Sequence, residues 1–144
     1  MKKFLFALMA VLAASVCSFA QNDTLKVLAI GNSFSDDAIE EHLHGLAKAE
    51  GLTIVIGNIY KAGCSIERHV KYLRGDVADY EFRKIDAEGV RTIQYGYTMA
   101  RGLADEEWHY VAYRQGSPFY GIPESNALLP GLVVYVSASV AEHA

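Results

Sequence analysis

The chain has 144 residues, with 13 Lys and Arg against 17 Asp and Glu and a formal net charge of −4 at pH 7. An acidic chain without a basic run argues against nucleic-acid partners and against binding to anionic membrane surfaces. Its length allows one domain with a modest core, and no internal repeat or linker divides it.

Residues 1–20 have the three parts of a secretory signal peptide. Lys2 and Lys3 form the basic region, residues 4–16 the apolar region, and residues 18–20 a small-x-small cleavage site. The apolar run is too short for a comfortable membrane span. We therefore expect an exported protein, periplasmic or extracellular, with no membrane span after cleavage.

The expected mature domain covers residues 21–144 and keeps one cysteine, Cys64. An intramolecular disulfide is therefore not possible, and we expect Cys64 to be a small, partly buried loop residue. A lipid anchor at Cys17 is disfavoured, because Val16 is bulkier than the residue that usually precedes a lipid-modified cysteine.

Residues 25–37 are the most informative segment. The apolar run 27–30 ends at Gly31-Asn32-Ser33, a pattern typical of a strand buried on both faces that is followed by a sharp turn. Ser33 is then expected at the carboxyl end of a strand and just before a helix, where open α/β sheets bind ligands and helical N–H groups stabilise anions. Serine before a helix is most often an N-cap, but Ser35 can fill that role.

The remaining sequence predicts alternating helices and strands. We expect helices over 36–50, 66–73, 99–107 and 126–141, strands over 52–59 and 108–114, and a β-hairpin inserted near residues 79–97 on the edge or top of the sheet. Strand–helix–strand units imply parallel pairing with right-handed crossovers.

Three strand-end loops carry the sequences Gly31-Asn32-Ser33, Ala62-Gly63-Cys64-Ser65 and Gln115-Gly116-Ser117. In this order the motifs resemble the SGNH (GDSL-like) hydrolase superfamily, and more closely a secreted branch described mostly as a domain of unknown function. The resemblance covers residues 25 to about 121. It implies an α/β fold of the three-layer, flavodoxin-like type, with a parallel sheet between helices on both faces.

The superfamily's mechanism implies roles for the matching residues. Ser33 matches the nucleophilic serine, and its own N–H and that of Gly63 would face the oxyanion. Gln115 is the candidate for the side-chain amide that completes the hole, and the alternative is a polar residue that ties down a loop. Such preorganised donors matter because negative charge develops on the carbonyl oxygen during acyl transfer.

The superfamily takes its general base from an Asp-x-x-His segment near the C-terminus, and His143 does not belong to one. Further parallel strands are also missing, so we expect residues 21–144 to form a C-terminally incomplete domain with an exposed sheet edge for self-association. Among the other histidines, His42 and His44 are expected on different helix faces, and His69 is expected to be a solvated helix residue near the crevice.

Three functional hypotheses follow. The first is a secreted serine esterase acting on a small-molecule or carbohydrate ester, such as a carbohydrate O-acetyl group, without cofactor or metal. The second is a non-catalytic, truncated or degenerate domain with at most ligand binding. The third is a flavodoxin-like module that binds phosphate at the Gly31–Ser35 turn, which lacks the glycine spacing of dinucleotide loops.

Overall fold

The computed structural model describes residues 24–143, and the predicted signal segment lies outside them. The five strands are β1 (Leu25–Gly31), β2 (Ile54–Tyr60), β3 (Tyr80–Ile85), β4 (Arg91–Tyr97) and β5 (Tyr110–Tyr113). They form one mixed sheet in the order β4-β3-β2-β1-β5. β1 pairs in parallel with β2 and β5, and the β3–β4 hairpin continues the sheet antiparallel from β2.

Helices lie on both faces of this sheet. They are α1 (Ser33–Ser35), a π-helix (Asp36–Glu41), α2 (Leu43–Ala49), α3 (Ile66–Arg74), α4 (Met99–Leu103), two 3₁₀ turns (Ser117–Phe119 and Pro123–Asn126) and α5 (Leu129–Glu142). The fold is therefore a mixed α/β fold with a five-stranded sheet flanked by helices.

The core has one part on each face of the sheet, because side chains alternate along β1. Ala29 packs on one face with Ile39 of the π-helix and Ala47 of α2. Leu28 and Ile30 pack on the other face, against side chains of α3, α4 and α5. Helices therefore pack against the carboxyl end of β1 on both faces of the sheet.

The predicted hairpin near residues 79–97 is confirmed at the sheet edge. The helix predicted over 36–50 is wrong in detail, because the π-helix precedes α2 and changes the phase of the apolar stripe. Leu46, expected on that stripe, is 64% exposed. Helix α4 is also shorter than expected and ends at Leu103.

The open edge of β5 ends the described sheet, and Tyr110 on that strand is 63% exposed. Within residues 24–143, no helix combines the length and the apolar character needed to cross a bilayer.

Candidate active site

Ser33 lies where the sequence predicts it, after the last residue of β1 and at the first position of α1. Its side chain is exposed, and its Oγ makes no hydrogen bond to another described residue. The N-cap is Asn32 rather than Ser35, because the Asn32 Oδ1 accepts a hydrogen bond from the Phe34 N–H at 3.1 Å. Ser33 thus has no structural hydrogen bond that would occupy its hydroxyl group.

The side chain of Asn32 joins the three loops that the sequence singles out. Its Nδ2 donates to the carbonyl oxygen of Cys64 at 2.9 Å and to that of Gln115 at 3.1 Å. The third loop runs close to the second, since a Cβ at Gly116 would lie 3.4 Å from the carbonyl oxygens of Gly63 and Cys64. Sequence reasoning missed this role of Asn32, although it is the middle residue of the first motif.

Two backbone N–H groups in the first and second loops belong to exposed residues, Ser33 and Gly63. Among the described residues, neither the Ser33 N–H nor the Gly63 N–H donates to a protein acceptor. Gly63 has a φ of 60°, and no atom lies within 4 Å of the position that a Cβ would take. The left-handed backbone therefore needs glycine, and the space in front of it is empty.

The side chain of Gln115 ties down the loop that follows β5. Its Oε1 accepts hydrogen bonds from the N–H groups of Ile66 and Gly116, both at 2.9 Å. Its Nε2 donates to the Ser125 carbonyl oxygen at 3.0 Å and to the Asn126 Oδ1 at 3.3 Å. The amide would have to leave these partners before it could serve as an oxyanion donor.

A buried polar network supports the Ser33 turn from below. Ser35 Oγ donates to the Asn32 carbonyl oxygen at 2.7 Å, and the Nδ2 of Asn58 reaches Ser35 Oγ at 3.0 Å and Glu40 Oε1 at 2.5 Å. Asn58 is completely buried in β2. Gly31 makes room for the network, since a Cβ there would lie 2.1 Å from Ser35 Oγ.

The carboxylate of Glu40 connects this network to the hairpin. Its side chain is 1% exposed and pairs with Arg91 and, at 3.7 Å, with Arg83 Nη1. Burial raises the pKa of Glu40, while the hydrogen bond from Asn58 and the charges of Arg91 and Arg83 oppose that shift. Both arginines also pair with Asp36, at 3.2 Å and 3.0 Å. The ion pairs of the β3–β4 hairpin therefore hold in place the π-helix that follows Ser33.

A cavity of about 510 Å³ opens at Phe34, the residue that follows Ser33. Its lining is Phe34, Asp37, Ala38, His42, Arg114 and Tyr120. The rings of Phe34 and Tyr120 meet edge to face, with 6.2 Å between their centroids. The cavity thus has aromatic walls and carries an acid, a histidine and an arginine.

The expectation of a solvated His69 is wrong, because His69 is completely buried where α3 packs on the sheet. Its Nδ1 lies 2.9 Å from the hydroxyl oxygen of Tyr80, and burial, followed by the charge of Arg68, lowers the pKa of His69 to about 4. Cys64 is fully rather than partly buried, and burial raises the pKa of its thiol to about 11. Neither group is open to a substrate at this edge of the sheet.

The other described histidines are spread over the fold. His44 Nε2 lies 3.4 Å from the Ala87 carbonyl oxygen, and His109 Nδ1 accepts from the Lys26 N–H at 3.3 Å. Within residues 24–143, no three His, Cys, Asp or Glu side chains are grouped so that they could hold a metal ion.

Comparison with known proteins gives one family and one solved structure. The family described as "Domain of unknown function (DUF4886)" matches residues 26–143. The crystal structure of a DUF4886 family protein from Bacteroides uniformis ATCC 8492 is similar, with 46% sequence identity and a TM-score of 0.79. The match covers 84% of this chain and 47% of that protein, so this chain spans about half of its length. A search of curated proteins finds no match.

Proposed function

This chain belongs to the DUF4886 family, and we propose that it is a serine ester hydrolase of the SGNH type with Ser33 as the nucleophile. The observation that carries the proposal is that Ser33 has an exposed hydroxyl and a backbone N–H without a protein acceptor, on a turn that Asn32 joins to the loop of Gly63. The Asn32 side chain holds these groups at the meeting point of three strand-end loops. The carboxyl edge of parallel strands is a common place for a ligand site.

In the proposed reaction, Ser33 Oγ forms a bond to the ester's acyl carbon, and an electron pair moves onto the carbonyl oxygen. The N–H groups of Ser33 and Gly63 stabilise that oxygen. The C–O bond to the alcohol then breaks as the pair returns, and the alcohol leaves with the serine's proton. Water hydrolyses the acyl-serine to release the acid and restore the hydroxyl.

The Ser33 proton needs an acceptor, because a free hydroxyl hardly ionises at neutral pH. His42 is the described histidine that lines the cavity with Phe34. It is therefore the first candidate for this role, although no hydrogen bond joins it to Ser33 Oγ among the described residues. Catalytic hydrogen bonds often tighten only when substrate is bound.

The proposal extends to the substrate and its location. A cavity of about 510 Å³ has room for the group attached to the reacting ester. The signal-like segment at residues 1–20 supports an exported enzyme, and the family resemblance supports carbohydrate O-acetyl groups or similar esters as substrates.

The test is hydrolysis of an activated acetyl ester by the full chain and by its variants. We expect Ser33→Ala to lose at least about a hundredfold in kcat/KM, and His42→Gln to lower kcat. Ser137→Ala is the matched control, because Ser137 is also an exposed helical serine but lies on α5. Circular dichroism must show that all variants keep the fold.

A second candidate function is a non-catalytic domain that at most binds a ligand. It is favoured by one observation, namely that no described histidine makes a hydrogen bond to Ser33. Equal, near-background rates for the native chain, Ser33→Ala and Ser137→Ala would support it and overturn the esterase proposal.

A further inference from the structure

Arg114 is held against the turn that carries Ser33. It directly follows β5, and its backbone N–H donates to the carbonyl oxygen of Ile30 at 3.1 Å. The next carbonyl oxygen, that of Gln115, accepts the hydrogen bond from Asn32. The backbone at Arg114 is therefore fixed by one backbone hydrogen bond to Ile30 and, one residue later, by the hydrogen bond from the Asn32 side chain.

The side chain of Arg114 lines the 510 Å³ cavity and also a second cavity of about 320 Å³ beside it. The Arg114 side chain is half-buried, and its Nε atom is buried without a hydrogen-bond partner among residues 24–143. The Arg114 side chain donates no hydrogen bond to a described residue, so its guanidinium remains available to an anionic group of a ligand in the cavity.

Some other cations among the described residues are paired. Arg83, Arg91 and Lys84 all pair with carboxylates of the protein. Arg114 has no ion pair within the part of the chain that the structure describes, although Asp37 lines the same cavity. Its guanidinium charge is thus not neutralised by a protein carboxylate.

We propose that Arg114 binds a carboxylate group of the ligand in the cavity beside Ser33, so that the preferred substrates are esters that carry a carboxylate. The part concerning esters rests on the proposed function, whereas carboxylate binding does not. A planar guanidinium suits a carboxylate, which can accept two parallel hydrogen bonds from it. A phosphate dianion would place one more negative charge beside Asp37 than a carboxylate does.

The aromatic walls fit the rest of such a ligand. Phe34 and Tyr120 give the cavity apolar surface, on which a short carbon chain between the ester and the carboxylate can pack. Substrate preference would then depend on the charge at one end of the acyl or alcohol group.

The experiment measures binding without turnover. In the full chain with Ser33→Ala, calorimetric titration compares monomethyl succinate with its neutral counterpart, dimethyl succinate. We expect the monoester to bind more tightly, and Arg114→Gln to weaken its binding by about tenfold or more, as for a charge-assisted hydrogen bond. Binding of the diester should not change.

The matched control is Arg74→Gln, which removes the same charge from an exposed position at the end of α3. We expect it to leave both titrations unchanged. If Arg114→Gln fails to fold, Arg114→Lys replaces it and should weaken monoester binding by a smaller factor, because lysine lacks the planar fork.

Three outcomes would overturn the inference. They are equal affinity for the two succinates, equal loss of both in Arg114→Gln, and tighter binding of methyl phosphate than of the monoester. A fourth outcome would overturn the proposed function alone. In it, monoester binding depends on Arg114, but acetyl-ester hydrolysis does not depend on Ser33. The two failures are therefore distinguishable.

Discussion

The loops after β1 and β2 each carry a residue type that often acts as a nucleophile, but their surroundings are opposite. Ser33, after β1, is exposed, and its backbone N–H has no acceptor among the described residues. Cys64, after β2, is completely buried, and the nearby His69 is buried as well. The intrinsically better nucleophile is therefore the one that the fold removes from solvent. Exposure and the surrounding donors, rather than residue type, distinguish the candidate site.

The same contrast holds for the polar groups that support each loop. Below Ser33, the side chains of Ser35, Asn58 and Glu40 form a connected network that reaches the Asn32 carbonyl oxygen. Beside Cys64, the Nε2 of His69 has no hydrogen-bond partner within residues 24–143. The satisfied network fixes the geometry of the Ser33 turn, whereas the unpaired Nε2 of the fully buried His69 costs stability.

The largest expected difference concerns thiol alkylation. In the variant Ser33→Cys, we expect iodoacetamide to modify Cys at position 33 on the order of a thousandfold faster than Cys64, because Cys64 must wait for an opening of the fold. Peptide mapping by mass spectrometry separates the two positions within one sample. Comparable rates would contradict the contrast between the two loops.

The next effect concerns the network below Ser33. Asn58→Ala removes the hydrogen bond to the buried Glu40 carboxylate and leaves a cavity, so we expect a loss of about 3 kcal/mol in the free energy of unfolding. Urea unfolding of Asn58→Ala, Glu40→Gln and the double variant measures their coupling. The cost of Asn58→Ala should be smaller in the Glu40→Gln background, and an equal cost would show that the two side chains act independently.

The smallest effect is a pH dependence that comes from His69. Its pKa is about 4 in the folded chain, against about 6.5 in an unfolded one. The unfolded state therefore binds more protons between these values, and stability falls as the pH is lowered through this window. We expect a loss of about 2 kcal/mol from this residue between pH 7 and pH 4.5.

The control for this titration is His69→Gln, whose side-chain amide can hydrogen-bond to the Tyr80 hydroxyl but has no proton to gain. Urea unfolding at both pH values should show a smaller acid loss for His69→Gln than for the native chain. The same loss in both would mean that other groups, such as the carboxylates, account for the acid sensitivity.

Local sequence patterns predicted much of the fold. Three of the signals lie within short segments, namely the apolar run before Gly31, the turn between β3 and β4, and the apolar spacing of α5. The structure contains each element that these signals predict. The strand-end motifs also indicated which loops would meet at Ser33.

What the sequence did not predict depends on contacts between distant segments. The burial of His69 depends on how α3 lies against Tyr80, and its neighbours in the chain are the charged Arg68 and the apolar Val70. The pairing of Asn58 with Glu40 needs β2 and the π-helix in register. Such contacts have no signal in local periodicity.

The hydrogen bonds of Asn32 also constrain the order of folding. They join residues that are 32 and 83 positions apart in the chain. Contacts over such separations carry a loop-closure cost and tend to form after local structure. We therefore expect the Ser33 centre to be completed only when β5 has docked beside β1, so that a folding intermediate lacking β5 would contain Ser33 but not the assembled site.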